Sequence, residues 1–188
     1  MTKGQQMLIA LGGNMPSAQG EPAQTLHAAL QRLAQTGAVI EAVSRFYKTP
    51  CFPVGAGPDY VNAAARLMCD ASPQDMLTML HEVEAHFGRA RVRRWGQRTL
   101  DLDLIAVGDV VLPDVSTYRV WQDLPLERQT QVAPDTLILP HPRVQDRAFV
   151  LVPLADVAPD WRHPVSGQTV RQMLNALSPE ARAEVVPR

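Results

Sequence analysis

Residues 60–88 read YVNAAARLMCDASPQDMLTMLHEVEAHFG, and they contain a complete strand signal followed by a complete helix signal. Side chains within Tyr60–Cys69 fall into two alternating sets, as they do on a strand with two distinct faces. Ser72 is a suitable helix cap, and Pro73 suits the first helical position. Apolar residues then recur at helical spacing until Gly88, a residue type that commonly follows a helix end. This stretch predicts a strand that leads directly into an α-helix.

The same signals occur on both sides of this stretch. Met7–Leu11 is a short apolar strand signal, and leucines at positions 26, 30 and 33 then follow at helical spacing. Ala38–Lys48 favours extended backbone, and Leu100–Val107 is a strongly apolar strand signal. The order strand, helix, strand, strand, helix, strand predicts an α+β fold. We expect a ferredoxin-like βαββαβ core, in which an antiparallel sheet carries its helices on one face.

The rest of the chain carries weaker structural signals. Gly108–Gln145 is rich in proline and has no strong period, so we expect loop with a short hairpin around Val110–Tyr118. Ala148–Ala155 and Val170–Leu177 are expected to form extra C-terminal helical or packing elements. Because no repeat, low-complexity tract or linker divides the sequence, residues 1–188 are expected to form a single domain.

Composition restricts the classes of function. The chain has 188 residues, of which 46% are hydrophobic and 20% charged, as in ordinary soluble globular proteins. A net charge of -1 argues against a general nucleic-acid-binding surface. There is no apolar run long enough to span a bilayer, no secretory signal pattern, and no disulfide framework in two cysteines. We therefore expect a cytoplasmic protein with neither a nucleic-acid nor a membrane partner.

Arginine is concentrated in one short segment. Of the 18 basic residues 16 are arginine, and five of these lie between Arg89 and Arg98. Guanidinium groups match the geometry of phosphate oxygens better than lysine does. A basic surface loop without a ligand has the same composition, so the cluster alone leaves open whether a small polyanion binds there.

Asp101 and Asp103 give the strongest chemical signal in the sequence. Residues two apart on a strand share a face, so the two carboxylates project together while the neighbouring leucines point to the core. Magnesium binds one or two protein carboxylates and completes its shell with water and phosphate oxygens. Beside the arginine cluster, the pair predicts metal-assisted phosphoryl transfer more readily than a solvated strand face.

Other polar and aromatic residues are candidate ligand contacts. Tyr60 and Asn62 share a strand face, and an aromatic ring beside a carboxamide can hold a flat heterocycle. Arg147 and Phe149 repeat this pairing, and His141 lies between two prolines, where it could donate to a phosphate. The structural alternatives are a sheet face covered by a loop and a histidine with a purely structural role.

These motifs, in this order, resemble the 6-hydroxymethyl-7,8-dihydropterin pyrophosphokinase family. The resemblance runs from about Leu8 to about Leu177 and includes the highly specific stretch RWGQRTLDLDL at 94–104. Between Leu112 and Leu137 the chain is longer than short members of that family. The other stretches that carry the resemblance are ALGGN at 10–14, FYKTP at 46–50, PDYVNAA at 58–64, GRAR at 88–91, LPH at 139–141 and DRAF at 146–149.

The resemblance implies an enzyme of folate synthesis, and we expect it to be a monomer. It would transfer pyrophosphate from ATP to the hydroxymethyl group of 6-hydroxymethyl-7,8-dihydropterin, giving AMP and the pterin diphosphate. The resemblance implies two Mg²⁺ ions held by Asp101 and Asp103, and catalytic roles for Arg89 and Arg98. The implied ATP contacts are Glu84, Arg91, Trp95, His141 and Arg147. The implied pterin contacts are Thr49, Pro50, Phe52, Tyr60, Asn62 and Phe149.

Two other classes of function are compatible with parts of the sequence. A metal-dependent phosphohydrolase would use the same carboxylate pair, but it would also need a positioned water and usually further acidic or histidine ligands, which the sequence does not indicate. The non-enzyme alternative is a ferredoxin-like small-molecule sensor or RNA-binding module. An RNA-binding module would carry basic, aromatic residues on its central strands. The segments Tyr60–Cys69 and Leu100–Val107 lack that pattern.

Overall fold

The computed structural model describes residues 4–51, 55, 57–88, 99–129 and 131–188, and it is built around an antiparallel sheet. The strands are β1 (Gln5–Gly13), β2 (Val39–Val43), β3 (Tyr47–Thr49), β4 (Tyr60–Cys69), β5 (Asp101–Val107) and β6 (Val186–Pro187). The helices are α1 (Pro22–Gln35), α2 (Pro73–His86), α3 (Val115–Gln122), α4 (Leu126–Gln129), α5 (Ala148–Val157), α6 (Val170–Ala176) and α7 (Pro179–Ala183), with a 3-10 turn at Val144–Asp146. The strand order is β5-β1-β4-β3-β6, and β2 also pairs with β4.

The first face of the sheet is covered by α1 and α2, as the βαββαβ pattern predicts. Alternate residues of β1, including Met7, Ile9 and Leu11, are buried there against leucines of α1 and α2. One of the two alternating sets of β4 belongs to the same core: Val61, Ala63, Ala65, Leu67 and Cys69. The α+β class and the antiparallel sheet are therefore confirmed.

The second face of the sheet is covered in part by the C-terminal helices. Leu8 and Ala10 of β1 and Ala64 of β4 pack against α5 and α6 in a second buried cluster. Because both faces of β1 are buried over these residues, its sequence is a continuous apolar run and does not alternate. The predicted C-terminal packing elements are thus helices that form a third layer. In the described ranges, no helix is both long enough and apolar enough to cross a bilayer.

The predicted strand Ala38–Lys48 is interrupted in the structure. Val43 pairs with Ala65 and Tyr47 pairs with Asn62, so four steps along this strand match three steps along β4. The extra residue forms a bulge, in which the Ser44 hydroxyl accepts a hydrogen bond from the backbone N–H of Ala64 at 2.9 Å. The side chain of Ser44 thus takes the place of a backbone acceptor, and β2 and β3 become separate strands on one edge of β4.

The predicted hairpin around Val110–Tyr118 is wrong, because a helix begins within it. The carboxylate of Asp114 accepts a hydrogen bond from the backbone N–H of Thr117 at 2.9 Å and so caps α3. Tyr118 on α3 is fully buried, and its hydroxyl lies 2.8 Å from Nε2 of His163. The cap at Asp114 and the contact between Tyr118 and His163 therefore stabilise a helix where the sequence has no strong helical period.

The buried ring of His163 joins α3 to the C-terminal layer in its neutral form. Its Nδ1 accepts hydrogen bonds from the backbone N–H groups of Val165 at 3.1 Å and Ser166 at 3.3 Å. The proton of the neutral ring therefore lies on Nε2, which faces Tyr118. Burial lowers the pKa of His163 to about 4, because charging the ring would desolvate a cation and remove its acceptor atom.

We predict that the free energy of unfolding decreases as the pH falls from about 6.5 to about 4. In this window the unfolded state binds a proton at His163 and the folded state does not, with a limiting slope of about 1.4 kcal/mol per pH unit. Urea unfolding at pH 7 and pH 5 measures this change, and the free energy of unfolding should decrease less for His163→Gln than for the wild type. The control is His27→Gln, because His27 is exposed; its free energy of unfolding should decrease as much as that of the wild type. An equal loss in the wild type and His163→Gln would contradict this role.

Candidate active site

A cavity of about 720 Å³ lies at the end of the second sheet face, where the C-terminal helices leave β1, β4 and β5 uncovered. This volume lies in the range of ordinary small-molecule sites. Its floor includes Gly12 of β1, Asn62 of β4 and the two aspartates of β5. The first turn of α5 and the end of the chain around Val185 complete its walls.

Strand register fixes the spacing of the residues on the cavity floor. Gly12 is paired with Asp101 on one side and with Asn62 on the other. Directly paired residues in an antiparallel sheet point to the same face, and neighbouring strands lie about 4.8 Å apart. Asp101 and Asn62 are therefore held about 10 Å apart at the backbone, two strand spacings, with a glycine between them.

Asp101 and Asp103 both line the cavity, while Leu102 and Leu104 lie in the first core. The prediction that the two carboxylates share a face is confirmed. Each aspartate is partly exposed, so each can bind a ligand without unfolding of the strand. Two carboxylates on one strand face are a donor set that suits magnesium, which takes its remaining ligands from water and phosphate.

Arg147 and Phe149 bring a cation and an aromatic ring to the same cavity. Arg147 immediately precedes α5, and its Nη1 lies 3.5 Å from Oδ2 of Asp103. Its guanidinium carbon also lies 5.7 Å from the ring centroid of Phe149, which is 41% exposed. A partly exposed ion pair of this length contributes about 0–1 kcal/mol to stability. Arg147 can therefore exchange Asp103 for an anionic ligand at little energetic cost.

His141 is held beside β5 by its backbone. Its N–H donates to the carbonyl of Ile105 at 2.8 Å, and its Nδ1 accepts from the N–H of Arg143 at 3.1 Å. Desolvation, with the positive charge of Arg147, lowers the pKa of His141 to about 3. The ring is therefore neutral at physiological pH, with its proton on Nε2. It lines the cavity as a hydrogen-bond donor without a net charge.

The opposite end of the cavity contains a small polar pocket. Nδ2 of Asn62 donates to Oγ1 of Thr49 at 2.8 Å, and both side chains are buried. Tyr60 and Pro50 line the cavity beside them. A Cβ atom on Gly12 would lie 3.1 Å from Oδ1 of Asn62, so the glycine keeps space at this oxygen. An aromatic ring next to a fixed carboxamide suits a flat, hydrogen-bonding heterocycle.

Several predicted site residues cannot be compared with this geometry. Predictions for Phe52, Arg89, Arg91, Trp95 and Arg98 lie outside the described residues. Within the residues that the structure describes, no group of three or more His, Cys, Asp or Glu side chains could hold a metal ion. The metal role of Asp101 and Asp103 stays a prediction.

Comparisons with known proteins decide the family. The family model for 7,8-dihydro-6-hydroxymethylpterin-pyrophosphokinase matches residues 8–159. A 2-amino-4-hydroxy-6-hydroxymethyldihydropteridine pyrophosphokinase from Synechocystis sp. is 37% identical over 181 residues, which is 96% of this chain and 80% of that protein. The chain belongs to this family. A protein of the same name from Pseudomonas aeruginosa is 38% identical over 175 residues, which is 92% of this pyrophosphokinase and 91% of that protein.

Solved structures support the same fold for the pyrophosphokinase. The crystal structure of wild-type Plasmodium falciparum HPPK-DHPS with pteroate matches with a TM-score of 0.63 at 13% identity. The match covers 93% of this chain and 45% of that protein. This chain therefore spans less than half of the length of that protein. At this identity the match shows the shared fold alone.

Sequence reasoning missed several residues that line the cavity of this pyrophosphokinase. Gly12 has no predicted role in the site, although it lies between Asp101 and Asn62 on the cavity floor. Trp121 lines the cavity from α3, and Arg143 lines it next to His141. Glu184 reaches it from the end of the chain. For Arg143, adjacency to His141 was an available signal, whereas the other contacts depend on long-range folding.

Glu84 contacts β5 from α2 and is not among the residues that line the cavity. Its side chain is 1% exposed, and its Oε1 accepts a hydrogen bond from the backbone N–H of Leu102 at 2.7 Å. Since β5 is an edge strand, this N–H points away from β1 and needs a partner outside the sheet. Glu84 thus fixes the residue between the two aspartates, and its implied ATP contact stays a prediction.

We predict that Glu84→Ala lowers the free energy of unfolding by about 1–3 kcal/mol, because the buried N–H of Leu102 loses its acceptor. Glu84→Gln keeps an acceptor oxygen, so its free energy of unfolding should decrease less than that of Glu84→Ala. The exposed neighbour Glu82→Ala on the same helix serves as the control. Urea unfolding measures all three variants, and wild-type stability in Glu84→Ala would show that Glu84 does not hold the strand.

Proposed function

We propose that this cavity is where the enzyme transfers pyrophosphate from ATP to the hydroxymethyl group of 6-hydroxymethyl-7,8-dihydropterin. The products are AMP and the pterin diphosphate, in a step of folate biosynthesis. Membership of the family supports the reaction, and the arrangement of the floor supports the site. One observation carries the proposal: a carboxylate pair and the polar pocket at Asn62 lie two strand spacings apart on one sheet face.

We assign Asp101 and Asp103 to two magnesium ions. Both side chains line the cavity and neither is fully buried, so both are accessible to a ligand. Bound magnesium would neutralise the charge of the phosphates and hold them for in-line displacement. Arg147 beside Asp103 and the neutral His141 supply a cation and a hydrogen-bond donor for the phosphate oxygens.

We assign the pocket around Asn62 to the pterin. Oδ1 of Asn62 lies next to the Cβ-free position of Gly12 and can accept from a ring N–H or amino group. Thr49 fixes the orientation of the amide, so the pocket is preorganised. Tyr60 and Phe149 provide aromatic surfaces for stacking on the ring. Such a pose directs the hydroxymethyl substituent along the floor towards the aspartates.

The chemical step in this proposal depends on alignment and charge, without a covalent intermediate. The hydroxymethyl oxygen attacks the β-phosphorus of ATP, the bond from that phosphorus to the α-phosphate oxygen breaks, and AMP leaves. Correct placement of two reactants can supply a large part of the rate enhancement, and fixed charges supply much of the rest. The residues of the floor meet both needs because the register of three strands sets their positions.

A phosphohydrolase that uses the same aspartates is less compatible with the cavity. Such an enzyme needs further acidic or histidine metal ligands, and the residues described by the structure contain no cluster of three. It also makes no use of the buried pair Asn62 and Thr49. The single-domain organisation, the monomeric state and the cytoplasmic location stay predictions of the sequence.

We predict that Asp101→Asn and Asp103→Asn each lower kcat by about 100-fold or more at saturating magnesium, because they remove a charge from the phosphate site. The KM for the pterin should change by less than about threefold, since the carboxylates lie about 10 Å from its pocket. AMP formation from ATP in the presence of the pterin measures both quantities.

The matched control is Asp109→Asn, an exposed aspartate in the turn at the other end of β5. It makes the same change in charge and should leave kcat unaltered. Wild-type turnover in either cavity variant would overturn the metal assignment. AMP or ADP release that does not require the pterin would overturn the proposed reaction.

A further inference from the structure

The C-terminal segment 179–188 has no role in the reaction proposed above, although it completes one wall of the cavity. Ala181 and Glu184 line the cavity from this segment, and so does Val185, which is buried. The segment begins with α7, which packs against α5, and it ends with β6, which pairs with β3. It therefore connects two elements that carry proposed pterin contacts.

Backbone hydrogen bonds place β6 along the outer edge of β3. The N–H of Arg188 donates to the carbonyl of Phe46 at 2.9 Å. Lys48, two residues further along the chain, is paired with Val186. Hydrogen bonds in an antiparallel pair join every second pair of residues, so Val186 is the next residue of β6 whose N–H bonds to β3. Pro187 lies between the two bonded residues, at a position where no N–H to β3 is required.

The same register places Val185 beside Thr49. Because Lys48 is opposite Val186, the next residue of each segment meets its counterpart one step further along. Opposite residues of an antiparallel pair point to the same face, and their Cβ atoms lie about 5 Å apart. Val185 and Thr49 are both buried and both line the cavity, as this placement requires.

The two ends of β3 are held by different contacts. At its start, Tyr47 is buried, and its hydroxyl donates to Oδ2 of Asp156 on α5 at 2.8 Å. At its end, Thr49 is paired with Tyr60 of β4 on one side. The other side of Thr49 meets the C-terminal segment at Val185. The C-terminal segment therefore supports the last residue of β3, which is the residue that contributes to the polar pocket.

The orientation of Thr49 matters because its Oγ1 accepts the hydrogen bond that fixes the amide of Asn62, at 2.8 Å. Without a neighbour, the threonine side chain is free to rotate to another rotamer, in which this oxygen leaves the amide. We propose that β6 is a positioning element of the pterin pocket, and that it acts through Val185, which holds Thr49 in the rotamer that fixes Asn62. This inference rests on the proposed function, because it takes Asn62 to bind the pterin.

The expected result is a change in the KM for the pterin without a change in the KM for ATP. Val186→Pro removes the N–H that bonds to β3 and should raise the KM for the pterin about fivefold, as the loss of one hydrogen bond commonly does. The KM for ATP should stay within about twofold, since the proposed phosphate site lies on β5, across the sheet. The matched control is Val186→Ala, which keeps the N–H and changes a side chain that is 52% exposed.

A double-mutant cycle tests whether β6 acts through Thr49. Thr49→Val removes the hydroxyl acceptor, keeps the shape of the side chain and should raise the KM for the pterin by itself. In that background Val186→Pro should add less than about twofold, because the contact that it disturbs is already lost. Urea unfolding shows whether each variant is folded under the assay conditions. Should Val186→Pro fail to fold, Val185→Ala leaves the backbone of β6 intact and should raise the KM for the pterin about threefold.

Three results would overturn the inference. The first is an unchanged KM for the pterin in both Val186→Pro and Val185→Ala. The second is an equal rise in the KM for ATP, which indicates a general effect on the fold. The third is a further rise of about fivefold when Val186→Pro is added to Thr49→Val, which indicates that β6 acts elsewhere.

AMP formation by the wild type is measured in parallel, with and without the pterin. If it requires the pterin, each of these three results removes the role of β6 while the proposed reaction stands. If the wild type forms no AMP with both substrates present, the reaction itself is wrong, and the inference falls with it.

Discussion

The pairing of β1 with β4 on one side and β5 on the other determines the geometry of the site. Gly12 lies between Asp101 and Asn62 in register, so one row of three residues joins the carboxylate pair to the polar pocket. A slip of one residue in either pairing would turn a set of side chains to the opposite face. The buried apolar residues on both faces of β1 oppose such a slip, because it would expose leucines and bury aspartates.

Incomplete coverage of the second sheet face turns this row into a cavity. The C-terminal helices bury Leu8 and Ala10 but end before Gly12, and the start of α5 adds Arg147 and Phe149. The core that stabilises the fold therefore continues into the floor of the site. The strands hold the proposed phosphate and pterin contacts, while α3 contacts the rest of the protein through Tyr118 with His163 and through the Gln122 carbonyl with Arg143. The proposed chemistry therefore lies on the sheet, and part of the cavity wall lies on α3.

Local sequence signals were sufficient for elements whose own residues decide their structure. The alternation of Tyr60–Cys69, the cap at Ser72 and the spacing of Asp101 and Asp103 each follow from neighbouring residues. The bulge at Ser44 was not predictable in this way, because its hydroxyl bonds to a different strand. The same holds for α3, whose tyrosine meets a histidine 45 positions later, and for Glu84, whose partner is on β5. A hydrogen bond between residues far apart in the chain produces no periodic pattern in the sequence, so it cannot be predicted from local residues.

The proposed position of the metal at Asp101 and Asp103, relative to the acceptor, can be measured directly by paramagnetic relaxation. Manganese replaces magnesium at carboxylate sites, and it accelerates relaxation of the hydroxymethyl protons of the bound pterin in the presence of α,β-methylene ATP. The strand register predicts strong acceleration, consistent with a metal within about 10 Å, in the wild type. It also predicts loss of the effect when Asp101→Asn and Asp103→Asn are combined. Full occupancy by both ligands without acceleration, or an unchanged effect in the double variant, would contradict this arrangement.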